Sequence, residues 1–180
     1  MKRLAAALAL LAQAVAAPAT ARPDLARLLS SLDLGGYAEH ERPPDFTGRT
    51  PLGQAISLGD LRGQVVVVTF WATWCPTCRE DMAALENVNR SLGGERLAVL
   101  AVNVRERSTV VRDYVDTLGL TFPVLVDSRG EIQAAYGVIG VPTTFVIARD
   151  GRAVARAIGS RDWAGPRFRA LLKTLLEQQP

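Results

Sequence analysis

Residues 65–78 read VVVVTFWATWCPTC, and this stretch decides the fold. Its β-branched and aromatic beginning predicts a strand that is buried on both faces of a sheet. Pro76 suits the first position of a helix, because the N–H that proline lacks would have no partner there. Cys75 and Cys78, the two cysteines of the chain, therefore lie where a strand passes into a helix.

This placement of the cysteines predicts thiol–disulfide exchange. Cys75 lies at the helix start, where unpaired backbone N–H groups and the helix dipole stabilise a thiolate, the nucleophilic form of cysteine. Cys75 would attack a partner disulfide, and Cys78 would then release the partner by resolving the mixed disulfide. A plain disulfide or half of a zinc site is the alternative. A structural zinc site needs four ligands, and His40 is the one histidine, so we predict neither a metal nor a cofactor.

Residues 70–78, FWATWCPTC, closely resemble the active-site segment of the thioredoxin superfamily. More narrowly, they resemble the TlpA/ResA-like branch, the extracytoplasmic thiol–disulfide oxidoreductases of bacteria. A second similar segment is YGVIGVPTTFVI at residues 136–147, and a third lies in residues 44–47 and 57–63. Together they extend from about residue 44 to the C-terminal helix, and they imply a thioredoxin-like fold.

The resemblance also implies roles for residues around the cysteines. Pro142 would follow a cis peptide bond and face the cysteines, and the backbone of Val141 would pair with the partner chain. A proline that merely begins a strand is the alternative reading of Pro142. Trp74 would shield the cysteines and offer an apolar docking surface, and Pro76 and Thr77 would also contact the partner.

Several positions depart from the family pattern. Thr69 replaces the buried aspartate that cytoplasmic thioredoxins carry on the strand before the motif. Asp81 lies where the TlpA/ResA-like branch commonly has a glutamate, and at i+3 it shares a helix face with Cys78, whereas Glu80 points elsewhere. Partial burial would raise the pKa of Asp81 and let it relay a proton to or from Cys78. A solvated helix face is the alternative for both carboxyls. Ala83 replaces a proline that usually kinks this helix.

The chain has 180 residues, of which 48% are hydrophobic, and this is enough for one domain with a substantial core. Its formal net charge is +3, to which the basic residues at the N-terminus contribute. The arginines elsewhere are scattered, and no basic stripe argues for nucleic acid binding. Nothing in the sequence argues for an oligomer, so we predict a monomer.

Residues 1–21 have the features of a signal peptide, because a basic start is followed by an apolar stretch and small residues. Cleavage after Ala21 is the first expectation, and an uncleaved membrane anchor is the alternative. Export would place the protein in the periplasm, which is an oxidising compartment. Residues 22–43 are predicted to form a helix and a linker, and residues 44–180 are predicted to form the thioredoxin-like domain.

Beyond residue 44 the patterns predict alternating strands and helices, then a hairpin and a closing helix. This order indicates an α/β fold, a thioredoxin-like three-layer sandwich with a mixed central sheet and helices on both faces. Strands are predicted at residues 65–70, 97–104, 123–126, 143–148 and 153–158. Helices are predicted at residues 24–34, 76–92, 108–118, 131–136 and 163–177.

The sequence therefore predicts an exported thiol–disulfide oxidoreductase that acts on protein cysteines. By resemblance it would be a reductant of apocytochrome c haem-site thiols or of the copper-site thiols of an oxidase, with electrons from a membrane dithiol donor. A periplasmic disulfide oxidase or isomerase is one alternative. A copper chaperone of the related kind would have three residues between the cysteines and a downstream histidine, whereas His40 lies upstream. A peroxiredoxin-like site would need a threonine where this chain has Ala72.

Overall fold

The computed structural model describes residues 23–35, 42–94 and 96–178. Its helices are α1 (Pro23–Ser31), α2 (Pro76–Leu92), α3 (Ser108–Leu118), α4 (Glu131–Ala135) and α5 (Pro166–Leu176), with a short 3-10 helix at Leu58–Leu61. Its strands are β1 (Thr47–Arg49), β2 (Ala55–Ser57), β3 (Val65–Trp71), β4 (Leu97–Val104), β5 (Val124–Asp127), β6 (Thr143–Ile147) and β7 (Ala153–Ile158). The predicted signal peptide and His40 lie outside the described residues.

The strands form a five-stranded sheet and a separate two-stranded hairpin. The order in the large sheet is β5-β4-β3-β6-β7. Strands β3, β4 and β5 run parallel, whereas β6 is antiparallel to β3 and β7 is antiparallel to β6. This mixed sheet confirms the predicted α/β fold. The hairpin of β1 and β2 is an addition that the sequence patterns do not predict.

Strand β3 lies at the centre of the sheet, and all of its residues are buried. Its last two residues, Phe70 and Trp71, point to opposite faces because side chains alternate along a strand. Phe70 contacts Tyr136 at the end of α4, with ring centroids 5.3 Å apart. Trp71 contacts Tyr114 of α3 with the same ring separation, 5.3 Å. Helical elements therefore cover both faces of the sheet, as predicted.

The observed element boundaries agree with most of the predicted ones, but two helices differ. The closing helix is predicted to start at Trp163, whereas α5 starts at Pro166 with Gly165 as its N-cap. The fixed φ of proline favours the first helical position, and this local preference decides where the helix begins. Trp163 lies in the preceding turn, where its buried ring packs on Phe168. Helix α1 ends at Ser31, earlier than predicted.

The described N-terminal segment, residues 23–35, packs on the rest of the domain. Helix α1 contacts α5, and Leu32 and Leu34 are buried in the common core. Gly35 forms a β-bridge with Arg156 of β7. The predicted N-terminal helix is therefore part of the folded body. In the part of the chain that the structure describes, no helix is both long and apolar enough to cross a membrane.

A buried carboxylate joins α2 to the loop before β5. Glu86 accepts hydrogen bonds from the backbone N–H and the hydroxyl of Thr121, at 2.9 and 2.7 Å, and from Arg90 Nε at 2.6 Å. Burial raises the pKa of Glu86, but these hydrogen bonds outweigh burial and hold the pKa below its ordinary value of 4.5. The ionised carboxylate therefore stabilises the fold, and this contribution is lost as the pH falls through the lowered pKa.

We expect Glu86→Ala to lower the free energy of unfolding by about 2 kcal/mol at neutral pH, because the N–H of Thr121 loses its partner. The difference from the wild type should shrink at acid pH, where the wild-type carboxyl is protonated too. Urea denaturation at the two pH values measures both effects. Asn87→Ala, at an exposed neighbouring position on α2, is the control. Equal losses in the two variants would contradict the role of Glu86.

Candidate active site

The two cysteines form a disulfide at the start of α2. Cys75 is the N-cap residue, and its sulfur accepts the backbone N–H of Cys78 at 3.2 Å. Pro76 is the first residue of the helix, as predicted. Cys75 is 5% exposed, whereas Cys78 is fully buried. The less buried of the two cysteines is thus the one at the helix N-terminus, where a negative charge is favoured.

The residues beside the disulfide form an exposed rim. Trp74 is 69% exposed, and Pro76 and Thr77 are also exposed. The hydroxyl oxygen of Thr77 lies 3.6 Å from the sulfur of Cys75. Trp71, by contrast, is fully buried and belongs to the core. Of the two indoles that flank the site, the one next to the cysteines is therefore available to contact a partner.

Pro142 lies at the same end of the sheet as the disulfide. Strand β6 runs antiparallel to β3 with Thr143 opposite Phe70, so the start of β6 meets the end of β3. The peptide bond between Val141 and Pro142 is cis, which confirms that prediction. Pro142 is buried and Val141 is half-buried. Ile139, which the sequence pattern does not single out, is 90% exposed and adds an apolar side chain to the same loop.

Asp81 is buried on α2, three residues after Cys78 and on the same helix face. Only 2% of the residue is exposed, so the prediction of burial is confirmed. The hydroxyl of Ser160, in the turn after β7, donates a hydrogen bond to Asp81 Oδ1. The indole N–H of Trp163 also lies near the carboxyl, although its geometry falls short of a full hydrogen bond. Neither Ser160 nor Trp163 carries a sequence signal that links it to Asp81.

Burial raises the pKa of the Asp81 carboxyl above its ordinary value of 3.8. The hydrogen bond from Ser160 and the nearby indole of Trp163 lower the pKa again, but not enough to cancel burial. Repulsion from the exposed Glu80 raises it further, and the positive charge of Arg161 lowers it. The result is a buried carboxyl whose proton is held more tightly than that of an ordinary aspartate.

Thr69 places a neutral group where cytoplasmic thioredoxins have a buried aspartate. Its hydroxyl pairs with the hydroxyl of Thr144, across β3 and β6, at 2.9 Å. Both residues are 1% exposed, and each hydroxyl satisfies the other. Strand β3 therefore brings no titratable side chain to the disulfide, and the buried carboxyl of the site comes from α2 instead.

Glu106 holds the loop that joins β3 to α2, and the sequence pattern does not identify it. Its carboxylate accepts the backbone N–H of Thr73 at 2.8 Å, the hydroxyl of Thr73 at 2.5 Å and the side-chain amide of Asn103 at 2.6 Å. Asn103 is fully buried at the end of β4. Thr73 lies two residues before Cys75, so these bonds fix the path of the chain into the disulfide.

Among the described side chains, no group of three or more His, Cys, Asp and Glu residues could hold a metal ion. The reactive group of the site is the disulfide itself, and it can exchange with another disulfide or dithiol.

The class of protein that this fold and this site define is a thioredoxin-like thiol–disulfide oxidoreductase. Over residues 40–156 the sequence matches the AhpC/TSA family, and the chain belongs to that family. Several similar proteins are thiol–disulfide oxidoreductases named ResA, in agreement with the resemblance seen in the cysteine segment.

Three similar proteins illustrate this relationship. The thioredoxin-like protein YneN of Bacillus subtilis (strain 168) is 40% identical over 119 residues, which cover 64% of this chain and 69% of that protein. The thiol–disulfide oxidoreductase ResA of the same organism is 32% identical over 123 residues, which cover 68% and 69%. The crystal structure of a thioredoxin-family thiol:disulfide interchange protein from Chlorobium tepidum TLS has a TM-score of 0.69 and 29% identity, over 78% of this chain and 99% of that one.

We expect Asp81→Asn to stabilise the oxidised protein at neutral pH, because it removes the cost of burying a negative charge. The raised pKa means that this cost is complete above the folded-state pKa and disappears below the ordinary value of 3.8. The advantage of asparagine should therefore vanish at acid pH. Urea denaturation at both pH values measures the difference, with the exposed Asp116→Asn as control. A lower stability of Asp81→Asn at neutral pH would show that the charged form is favoured by the fold.

Proposed function

We propose that this protein is an exported protein-disulfide reductase in which Cys75 is the nucleophile and Cys78 is the resolving thiol. The observation that carries the proposal is the unequal exposure of the two cysteine residues at the start of α2. Cys75 keeps some contact with solvent and accepts the N–H of Cys78, whereas Cys78 has no solvent contact. A partner sulfur therefore meets Cys75 first, at the position where a thiolate is stabilised.

The reaction starts from the reduced pair. The Cys75 thiolate attacks one sulfur of the partner disulfide, so that a mixed disulfide forms and the other partner sulfur leaves as a thiolate. Asp81 takes the proton of the Cys78 thiol, and the Cys78 thiolate attacks Cys75. The bond between Cys75 and Cys78 forms as the mixed disulfide breaks. Two electrons have then passed to the partner, whose sulfurs take up protons to become a dithiol.

Asp81 suits the proton transfer for two reasons. It is buried on the face of α2 that also carries Cys78, so both groups are shielded from bulk water. Its pKa is raised by burial, which brings the carboxyl closer to the working pH than an exposed aspartate. Glu80 is exposed, and we propose no role for it in the proton transfer beyond that of a charged residue on a solvated helix face.

The partner is proposed to dock on the exposed rim of the disulfide and on the loop before β6. Trp74 supplies apolar surface, and Pro76 and Thr77 line the helix start. Val141 is half-buried beside the cis-proline Pro142, so its backbone can pair with an extended partner segment around the reacting cysteine. An extended segment of this kind suits many protein thiols and disulfides, because backbone pairing does not depend on sequence.

The proposed setting is the periplasm, which the signal-like residues 1–21 support. A reductant in an oxidising compartment must be supplied with electrons, and a membrane dithiol protein is the proposed donor. The resemblance to the TlpA/ResA-like branch supports the cysteines of apocytochrome c or of an oxidase copper site as substrates. The protein is proposed to act as a monomer, without a cofactor and without nucleic acid.

A copper chaperone and a peroxidase are less well supported. Two residues separate the cysteines, and Ala72 has no hydroxyl to offer to a peroxide. A disulfide oxidase performs the same exchange in the opposite direction, and an isomerase performs it without net electron transfer. Only the redox properties of the cysteine pair therefore separate them from a reductase.

We expect Cys75→Ser to abolish the reduction of a disulfide-bonded test protein such as insulin. Cys78→Ser should instead accumulate a covalent complex with the test protein, because the resolving thiol is missing. Electrophoresis under non-reducing conditions detects the complex, and the double variant of both cysteines is the control. Stable trapping by Cys75→Ser rather than Cys78→Ser would reverse the two roles.

The reduction potential of the Cys75–Cys78 pair tests the direction of the reaction. We expect a value near or below about −230 mV, close to that of thioredoxin, because a reductant must hold its disulfide more stably than its substrates do. Equilibration of the protein with a glutathione or dithiothreitol buffer measures it. A value near about −120 mV would make the protein a disulfide donor and would favour the oxidase alternative.

A further inference from the structure

The loop of residues 158–161 begins at the last residue of β7 and forms hydrogen bonds with two parts of the redox site. The backbone N–H of Gly159 donates to the carbonyl of Pro142 at 2.8 Å. The next residue, Ser160, donates its hydroxyl to Asp81. One short loop therefore touches both the cis-proline and the buried carboxyl, and its conformation affects both.

Arg161 holds this loop in place. Its Nη1 donates to the carbonyls of Ile158 and Ser160, at 3.3 and 2.8 Å, and so bridges the left-handed turn at Gly159. Its Nη2 donates to the carbonyl and to the carboxylate of Asp33, at 3.1 and 3.0 Å. The Arg161 side chain is 22% exposed and that of Asp33 is 94% exposed, so the ion pair itself adds little stability. The four hydrogen bonds instead fix the conformation of the loop, because one planar guanidinium holds several acceptors in place at once.

We propose that Arg161 is a positioning residue of the redox site, which braces the loop of residues 158–161 against Asp33 and so keeps the hydroxyl of Ser160 on Asp81. This inference rests on the proposed proton transfer by Asp81. It extends the site to the N-terminal segment, which lies outside the thioredoxin-like domain predicted from the sequence. That segment would then contribute to the rate of disulfide exchange as well as to stability.

Arg161 also acts on Asp81 through its charge. Glu80, on the same helix, raises the pKa of Asp81, and Arg161, from the loop, lowers it. In the reduced protein, the thiols of Cys75 and Cys78 are further titratable groups of the site, besides Glu80 and Arg161. Removal of the positive charge would raise the pKa of Asp81, so its base form would be lost at a higher pH. Lysine keeps the charge but not the forked geometry, and glutamine loses both. A comparison of the two variants therefore separates the effect of the charge from the effect of the hydrogen bonds.

The test follows the reaction of the reduced full-length protein with the chromogenic disulfide dithiobis(nitrobenzoate). One coloured thiolate is released when Cys75 attacks, and a second is released when Cys78 closes the disulfide. We expect Arg161→Gln to slow the second phase about fivefold and to move its acid limb to higher pH. Arg161→Lys should also slow the second phase but move the acid limb less, because it keeps the positive charge and loosens only the hydrogen bond from Ser160 to Asp81. Asp33→Asn, which keeps the backbone acceptor, should slow it less.

Two further variants separate positioning from general stability. Arg167→Gln is the matched control, because Arg167 donates to the carbonyl of Ser31 at 3.1 Å and so also binds the N-terminal segment, but not the loop. It should leave the second phase unchanged. In a Ser160→Ala background, Arg161→Lys should have no further effect on the second phase, because the group that it positions is gone.

An unchanged second phase in Arg161→Gln, or equal slowing in Arg167→Gln, would overturn the inference. Full additivity of the slowing in Arg161→Lys and in Ser160→Ala would also overturn the inference. Additive effects are expected if Arg161 has only a structural role that is independent of Ser160. Asp81→Asn tests the underlying function. An unchanged pH profile in Asp81→Asn would contradict the proposed proton transfer by Asp81. A changed profile in Asp81→Asn, together with an unchanged second phase in Arg161→Gln, would contradict only the role of Arg161.

Discussion

The burial of β3 on both faces is the constraint on which the rest of the structure depends. A strand with hydrogen-bonded neighbours on both sides is held by two ladders of backbone hydrogen bonds, and every side chain of β3 is buried. Its end is therefore fixed, and the short loop of residues 72–74 leads from it to Cys75, the N-cap of α2. Because β6 is antiparallel to β3, the residues before β6 meet the same end. The pairing of β6 with β3 therefore brings Pro142 to the end of the sheet that also carries the cysteines.

Two buried carboxyls on α2 show how similar side chains acquire different properties. Glu86 accepts hydrogen bonds from Thr121 and Arg90, and together they keep it ionised. Asp81 accepts one hydrogen bond from the neutral Ser160, and burial then dominates. The first arrangement stabilises the fold, whereas the second keeps a carboxyl whose charge the interior disfavours. Buried groups of the second kind are costly, and they are common where proteins transfer protons.

Much of the fold and the centre of the site could be predicted because their signals are local. The apolar run at residues 65–70, the helix start and the spacing of the cysteines each lie within one stretch of sequence. The support of the site could not be predicted, because it depends on side chains that only the tertiary fold brings together. Ser160 and Asp81 are 79 residues apart, and Glu106 and Thr73 are 33 apart. Hydrogen bonds of this kind leave no periodic pattern in a single sequence.

The bridge between Gly35 and Arg156 has a consequence for solubility. It covers part of β7, the outer strand of the large sheet on one side. On the other side β1 packs beside β5, and the approach is so close that a Cβ atom on Gly48 would lie 2.7 Å from Leu125. An uncovered outer strand offers unpaired N–H and C=O groups to any neighbouring chain, and this leads to edge-to-edge aggregation. Segments that flank the central sheet in sequence thus protect it from self-association.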